Sequence, residues 1–113
     1  MNQKVTINGI DIETGSDNPY ADLGFPDADE MLVKAKLAHQ IAQIIKSRHL
    51  TQQRAADLLG MPQPKLSEML RGKFRGISQA KMIECLNRLG RDVEIVVKKA
   101  GTSTLGHTQV VVA

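Results

Sequence analysis

The stretch Thr51–Gly72, TQQRAADLLGMPQPKLSEMLRG, constrains the fold of this chain more than any other. Two short segments with a helical spacing of apolar residues meet there at Gly60. When two short helices cross at about 90 to 120° through a tight turn, the first helix needs a small residue at the crossing. The turn itself needs a residue that tolerates positive φ. Ala56 and Gly60 meet these two needs.

The second of these segments completes a small core. Leu66 and Met69 lie on the same face of the predicted second helix and would point back at Leu59 of the first. The pattern therefore predicts a helix-turn-helix, in which the second helix enters the major groove of DNA and the first abuts the phosphate backbone. Its structural positions would be Ala56, Gly60, Leu66 and Met69.

Two sets of side chains are candidates for contact with DNA. Glutamine can pair bidentately with adenine and lysine can donate to guanine, so polar residues near the start of the second helix are candidates for base contacts. Basic residues around the motif are candidates for phosphate contacts, because seven bases face two acids between residues 46 and 75. The base-contact candidates are Gln63, Lys65 and Ser67, and the phosphate candidates are Arg54, Arg71, Lys73 and Arg75, with Lys46 and Arg48 nearby.

The helix-turn-helix stretch resembles that of the Xre/Cro-type phage-repressor family, from Thr51-Gln52 through Leu66-Ser67 to Gly72. The resemblance implies that Gln52, at the start of the supporting helix, braces the recognition helix or contacts a phosphate. Gln53 lies close enough to share this role. Two prolines at the start of the recognition helix, Pro62 and Pro64, depart from the Ser or Thr cap that is commoner in the family.

Three flanking phrases resemble a narrower group, the short Xre-type antitoxins often called HigA-like. They are YADLGFP at 20–26, FRGI at 74–77 and LGRDVEI at 89–95, and the whole resemblance spans about residues 20 to 98. It implies a transcriptional repressor of a palindromic operator that also serves as the antitoxin of a type II toxin-antitoxin operon and represses that operon. The implied partner is a basic ribonuclease toxin of the RelE/HigB type.

The charges of the chain are segregated. Residues 1–30 carry one lysine and seven acids, a balance of −6, whereas residues 31–113 carry fourteen bases and five acids, a balance of +9. An acidic arm and a basic body suit two different partners. The body favours phosphates, and the arm favours a basic protein.

Composition excludes several other classes. Cys85 is the single cysteine, so the chain can form neither an internal disulfide nor a thiolate zinc site. The histidines are scattered without metal-ligand spacing, and no glycine-rich phosphate loop is present. No apolar run approaches the roughly 18 residues of a membrane span. The sequence predicts a cytoplasmic protein that is not an enzyme and has no cofactor, metal or membrane partner.

The region before the helix-turn-helix divides in two. Residues 1–26 show little helical periodicity and form an acidic arm, either mobile or a marginal hairpin with a turn at Asn8-Gly9. Residues 27–90 form the DNA-binding domain. Its first long helix begins with Asp27 as N-cap and Glu30 in a capping box, and Lys34 and Lys36 are expected on a solvated face.

The end of the domain predicts one more helix and a strand. Ser78 would cap that helix and Gly90 would stop it. Within residues 91–113, Val93, Ile95 and Val97 alternate with Asp92, Glu94 and Lys98, apart from Val96, as a half-buried strand does, and residues 109–112 could form a second strand. Since a lone strand needs a partner, the same strand of a second chain is the expected one, although pairing with the tail or the arm is also open. The dimer candidates are Val93, Ile95 and Val97.

Together these observations predict a mainly α fold, a phage-repressor-like bundle of four to five helices with a C-terminal β-strand and a loosely structured N-terminal arm. Two alternatives to the antitoxin remain open at this point. One is a phage-type regulator without a toxin partner. The other is a protein-interaction module that has lost DNA binding.

Overall fold

The computed structural model describes residues 18–101 and 105–113, together with the backbone of residues 3–7 and 10–14. Five helices and one hairpin make up this part of the chain, and none of its helices is long and apolar enough to span a bilayer. The elements are β1 (Gln3–Ile7), β2 (Ile10–Thr14), α1 (Pro19–Asp22), α2 (Ala28–Ser47), α3 (Gln52–Leu59), α4 (Gln63–Leu70) and α5 (Gln79–Arg88).

The two strands lie where the hairpin was predicted. They pair antiparallel, with Val5 opposite Ile12 and Ile7 opposite Ile10. The expected turn at Asn8-Gly9 lies outside the described residues. Strand β1 runs beside α2, so the hairpin is placed against the longest helix of the domain.

A short helix, α1, precedes α2 and was not predicted. The side chain of Asn18 accepts a hydrogen bond from the Tyr20 N–H at 2.9 Å, and Pro19 occupies the first helical position, where its missing N–H costs nothing. One turn is too short to give an apolar period. The Asn18 side chain also donates to the Ala28 carbonyl at 2.9 Å, which ties this segment to the start of α2.

The predicted capping box of α2 does not form. Asp27 is the N-cap residue, but its side chain makes no capping hydrogen bond and instead pairs with Arg75. Glu30 pairs with Lys34 at 3.4 Å, one turn further along the helix. The carboxylates thus prefer cationic partners, one of them distant in sequence, to the backbone N–H groups of their own helix.

Helix α2 is buried on more than one side. Its predicted stripe, including Met31, Ala35 and Ile41, lies in the core. The expectation that Lys34 and Lys36 are solvated is wrong, because these residues are only 4% and 9% exposed. The Lys34 ammonium donates to a carbonyl of a distant loop.

The helix-turn-helix forms with its predicted cap and turn. The Thr51 hydroxyl accepts from the Arg54 N–H at 3.1 Å, and Gly60 ends α3 in the left-handed conformation at φ 64° and ψ 38°. Behind the turn, Leu59 and Leu66 are completely buried. Helix α4 begins after Pro62 with no side-chain cap.

Helix α5 closes the core and is also tied to α2 at its end. The Ser78 hydroxyl accepts from the Lys81 N–H at 3.0 Å, as expected of its cap, and Gly90 follows the helix at φ 85°. Arg48, just beyond α2, donates to the Leu89 carbonyl at 2.8 Å. The apolar side of α5 is fully buried against α2 and α3 at Met82, Cys85 and Leu89.

The predicted C-terminal strand is absent from the described residues of the single chain. Residues 91–101 and 105–113 form no ladder. Val93 and Val110 pack partly against the core, whereas the apolar side chains between residues 95 and 97 are exposed. The alternating pattern is real, but a strand needs a hydrogen-bonded neighbour, and this part of one chain supplies none.

Replacement of Gly60 with alanine should destabilise the domain. Because φ at this position is positive, an alanine would be strained there, and we expect a loss of about 2 kcal/mol in the free energy of unfolding. The end of the Arg88 side chain, 2.8 Å from the new Cβ, would move aside. Urea denaturation followed by circular dichroism measures this loss. Gly76→Ala is the matched control, because nothing lies within 4 Å of its Cβ position. Equal effects of the two substitutions would contradict the role assigned to Gly60.

Candidate nucleic-acid interface

The start of α4 carries the first predicted base-contact residue in a fixed position. The Gln63 side-chain amide donates to Oε1 of Gln52 at 2.8 Å, across the crossing of α3 and α4. Gln63 is half-buried and Gln52 is exposed. The bond brings together a predicted reader and its predicted brace, so the orientation of Gln63 is set by the supporting helix before any DNA is present.

The neighbouring candidates are held to different degrees. Gln53 donates to the Asp57 carboxylate at 3.1 Å, so its amide group is already hydrogen-bonded within α3. Arg54 and Lys65 are exposed and have no side-chain partner in the described part of the chain. Ser67 is half-buried on α4. The structure thus brings Gln52, Gln63 and Lys65 to one end of the motif, with Arg54 nearby in sequence on α3.

The loop after α4 divides the remaining cations into two kinds. Arg71 and Lys73 are exposed and make no ion pair in the described residues. Arg75, in contrast, forms an ion pair with Asp27, and its guanidinium lies 5.0 Å from the centre of the Phe25 ring. A positive charge already paired with a carboxylate contributes less to an anionic partner than a solvated one. Arg71 and Lys73 are therefore the better phosphate candidates.

The same loop is also held by the buried residues Lys34 and Phe74. The buried Lys34 ammonium donates to the Arg75 carbonyl at 3.0 Å, while Glu30 balances its charge. Phe74, next to this carbonyl, is 2% exposed and anchors the loop in the core. The loop that would carry the phosphate contacts is consequently held by Lys34 and Phe74.

Sequence reasoning missed a cluster on α5 that holds the end of α3. Arg88 donates to the Leu58 carbonyl at 3.4 Å, and Lys81 reaches the Leu59 carbonyl at 3.5 Å. Glu84 lies between the two cations and pairs with both. The hydrogen bond and charge of Lys81, reinforced by Arg88, lower the pKa of Glu84. Their spacing on α5 was a readable signal for the ion pairs, but nothing local indicated the carbonyls.

These cations act on the negative end of the supporting helix. The last carbonyls of a helix have no partner within it, and positive charge there is favourable. By occupying this end, α5 fixes α3 close to the turn at Gly60, and hence fixes the angle at which α4 leaves. The cluster therefore acts on the interface indirectly, through the positions of α3 and α4.

The single cysteine of the chain lies in the core. Cys85 is fully buried, and burial raises the pKa of its thiol, so it remains protonated at neutral pH. Within residues 18–101 and 105–113 no group of three or more His, Cys, Asp or Glu side chains could hold a metal ion.

Comparison with known proteins identifies the class to which this fold belongs. Residues 19–98 match the model of a helix-turn-helix domain family, which covers most of the chain, and the chain belongs to this family. It is also similar to a solved structure described as an XRE family transcriptional regulator. The two share 37% identity with a TM-score of 0.72, over 78% of this chain and 100% of the other. No curated protein matches.

The family and the geometry agree on a coarse function. The fold is that of DNA-binding regulators, and the matched region contains the whole helix-turn-helix and both of its flanking supports, α2 and α5. The chain is therefore a helix-turn-helix protein of the XRE type that acts in DNA-binding transcriptional regulation. The resemblance to the Xre/Cro family is confirmed, and the narrower HigA-like resemblance stays a prediction.

The hydrogen bond between Gln52 and Gln63 predicts energetic coupling in DNA binding. Alanine at either position should weaken binding to the cognate duplex, and the double variant should lose less than the two separate losses together, with a coupling of about 1 kcal/mol. Fluorescence anisotropy on the DNA upstream of the gene measures this double-mutant cycle. The matched control pairs Gln63→Ala with Gln53→Ala, which should be additive because Gln53 bonds to Asp57. Additivity in both cycles would refute the brace.

Proposed function

We propose that this protein is a homodimeric transcriptional repressor that binds a palindromic operator. It also acts as the antitoxin of a type II toxin-antitoxin operon, and this operon is the one that it represses. Two recognition helices would enter successive major grooves, in half-sites about one helical turn, or roughly 34 Å, apart. Base contacts are assigned to Gln63, Lys65 and Ser67. Phosphate contacts are assigned to Arg54, Arg71 and Lys73.

One observation supports the sequence-reading role above all others. Gln63 is held by Gln52 through a 2.8 Å hydrogen bond and stands at the first position of an α4 that has no side-chain cap. An ordered amide at this position can offer a donor and an acceptor to the edge of an adenine without first losing much rotational freedom. A helical hairpin that only packs against protein has no need of such an arrangement.

The antitoxin role is supported by charge and by family resemblance. Residues 1–26, which precede the DNA-binding domain, carry one lysine and four acids, a balance of −3. An acidic segment raises the encounter rate with a basic protein and disfavours wrong partners. A small basic ribonuclease of the RelE/HigB type fits this chemistry. The arm would then bind the toxin while the helix-turn-helix binds the operator.

The repressor is tested by anisotropy on the upstream DNA, titrated in salt against a scrambled duplex. We expect tight binding with a clear preference for the upstream sequence, and Gln63→Ala combined with Lys65→Ala should remove that preference. Arg71→Gln and Lys73→Gln should instead weaken binding to both duplexes and should each flatten the salt slope by about 0.9.

Arg75→Gln is the matched control in the same loop. Because Asp27 already neutralises Arg75, this substitution should change the salt slope less than either of its neighbours. Sequence-blind binding at physiological salt would overturn the repressor. It would favour an interaction module that has lost its operator.

The toxin partner needs a separate test. The product of an adjacent small basic reading frame, where one exists, should form a complex with this protein, and Asp11→Asn, Glu13→Gln and Asp17→Asn together should slow association about tenfold at low salt. Glu68→Gln, an exposed acid on α4, is the control and should leave the rate unchanged. Surface plasmon resonance measures both rates. Lack of binding, or of an adjacent frame, would leave a phage-type regulator without a toxin.

A further inference from the structure

The guanidinium of Arg75 is held by two residues of the segment that precedes α2. It donates to Oδ2 of Asp27, and it lies 5.0 Å from the centre of the Phe25 ring. The Phe25 ring is itself packed beside the Tyr20 ring, with 6.2 Å between the ring centroids. The Arg75 side chain is nevertheless 53% exposed, so it is accessible to a phosphate from solvent.

The backbone of Arg75 is fixed independently of this ion pair. The buried Lys34 ammonium donates to the Arg75 carbonyl at 3.0 Å, and the neighbouring Phe74 lies in the core. One fixed stretch of backbone therefore presents Arg75 together with the phosphate candidates Arg71 and Lys73. Exchange of the carboxylate for a phosphate requires rotation of the Arg75 side chain and no movement of the loop.

Asp27 is incompletely satisfied by the ion pair. Its other carboxylate oxygen, Oδ1, is buried and accepts no hydrogen bond from the described residues. Asp27 is also the N-cap residue of α2, yet its side chain makes no capping hydrogen bond. Aspartate is a preferred cap, and the first N–H groups of a helix have no partner within it. Since a buried polar atom without a partner lowers stability, stability alone does not favour this arrangement.

The ion pair changes what Arg75 offers to DNA. An ion pair between partly exposed groups is weak, but this one lies within the chain and is present before any DNA arrives. A phosphate that reaches Arg75 must displace Asp27, and the negative charge of Asp27 repels it. Arg71 and Lys73 have no such competitor among the described residues.

We infer that Asp27 is a built-in competitor of DNA. It occupies the Arg75 guanidinium, withholds one phosphate contact, and so sets the affinity for DNA below the value that the cations of the loop would give. The inference rests on the proposed function, because it requires the loop after α4 to face the DNA backbone. It assigns to the segment before α2 a residue that lowers DNA affinity.

Asp27→Ser in the full chain tests this competition. Serine caps a helix about as well as aspartate does, but it is uncharged and shorter. We expect this variant to bind the upstream duplex about fivefold more tightly at about 0.1 M salt, with a salt slope steeper by about 0.9, because Arg75 then contacts a phosphate. Fluorescence anisotropy measures both quantities. The midpoint of thermal unfolding should not fall, since serine can cap α2.

Arg75→Gln shows whether the gain depends on the guanidinium. In the Asp27→Ser background it should remove the tighter binding and the added slope, whereas alone it should change the slope little. Asp29→Ser is the matched control, because Asp29 is an exposed acid in the first turn of α2 that accepts from Asn18 at 3.4 Å. Any small gain from Asp29→Ser should persist when Arg75→Gln is added.

Failure of the competition and failure of the proposed function give different results. Unchanged affinity in Asp27→Ser, with or without a lower thermal midpoint, or an equal gain from Asp29→Ser would overturn the competition. The repressor then stands if Arg71→Gln and Lys73→Gln still flatten the salt slope. If these two variants leave the slope unchanged, the phosphate contacts of the loop and the competition fail together. A gain through Arg75 on both the upstream and the scrambled duplex, without preference, supports the competition and overturns the repressor.

Discussion

The left-handed backbone conformation of Gly60 is the constraint on which the rest of the structure depends. Its positive φ turns the chain sharply into α4. Leu59 and Leu66, buried behind the turn, convert this local geometry into a fixed crossing of two helices. The orientation of Gln63 follows from that crossing, so recognition chemistry on α4 is set by packing at a position that touches no base.

The features that could be predicted from the sequence are those whose causes are local. Thr51 and Ser78 cap their helices through an N–H three residues away, and such bonds leave a signature in the sequence. The roles of Asp27 and Lys34 could not be read in this way, because their partners lie more than forty residues further along the chain. The predicted C-terminal strand does not form in the described part of the single chain for a related reason. An alternating pattern indicates an extended conformation but does not identify its neighbour.

Formal charge is therefore an incomplete guide to an anionic partner. Several cations of this small basic protein neutralise carboxylates or bond to carbonyls within the fold, among them Lys34, Arg75 and Arg88. Others, such as Lys65 and Arg71, are solvated and unpaired in the described part of the chain. Counting both kinds together correctly identified a basic body, but only the contacts separate the cations that build the interface from those able to meet a phosphate.

The contacts of Arg75 also bear on where the acidic arm ends. Phe25 and Asp27 hold the loop after α4, and Asn18 ties the same segment to α2. Removing the chain up to residue 27 would thus remove more than acidic charge. It would also remove the contacts that Phe25 and Asp27 make with the Arg75 guanidinium. A shortened protein that begins at α2 cannot report on the arm alone. A cut before Asn18 would keep Asn18, Phe25 and Asp27 in place and would remove the hairpin that lies beside α2.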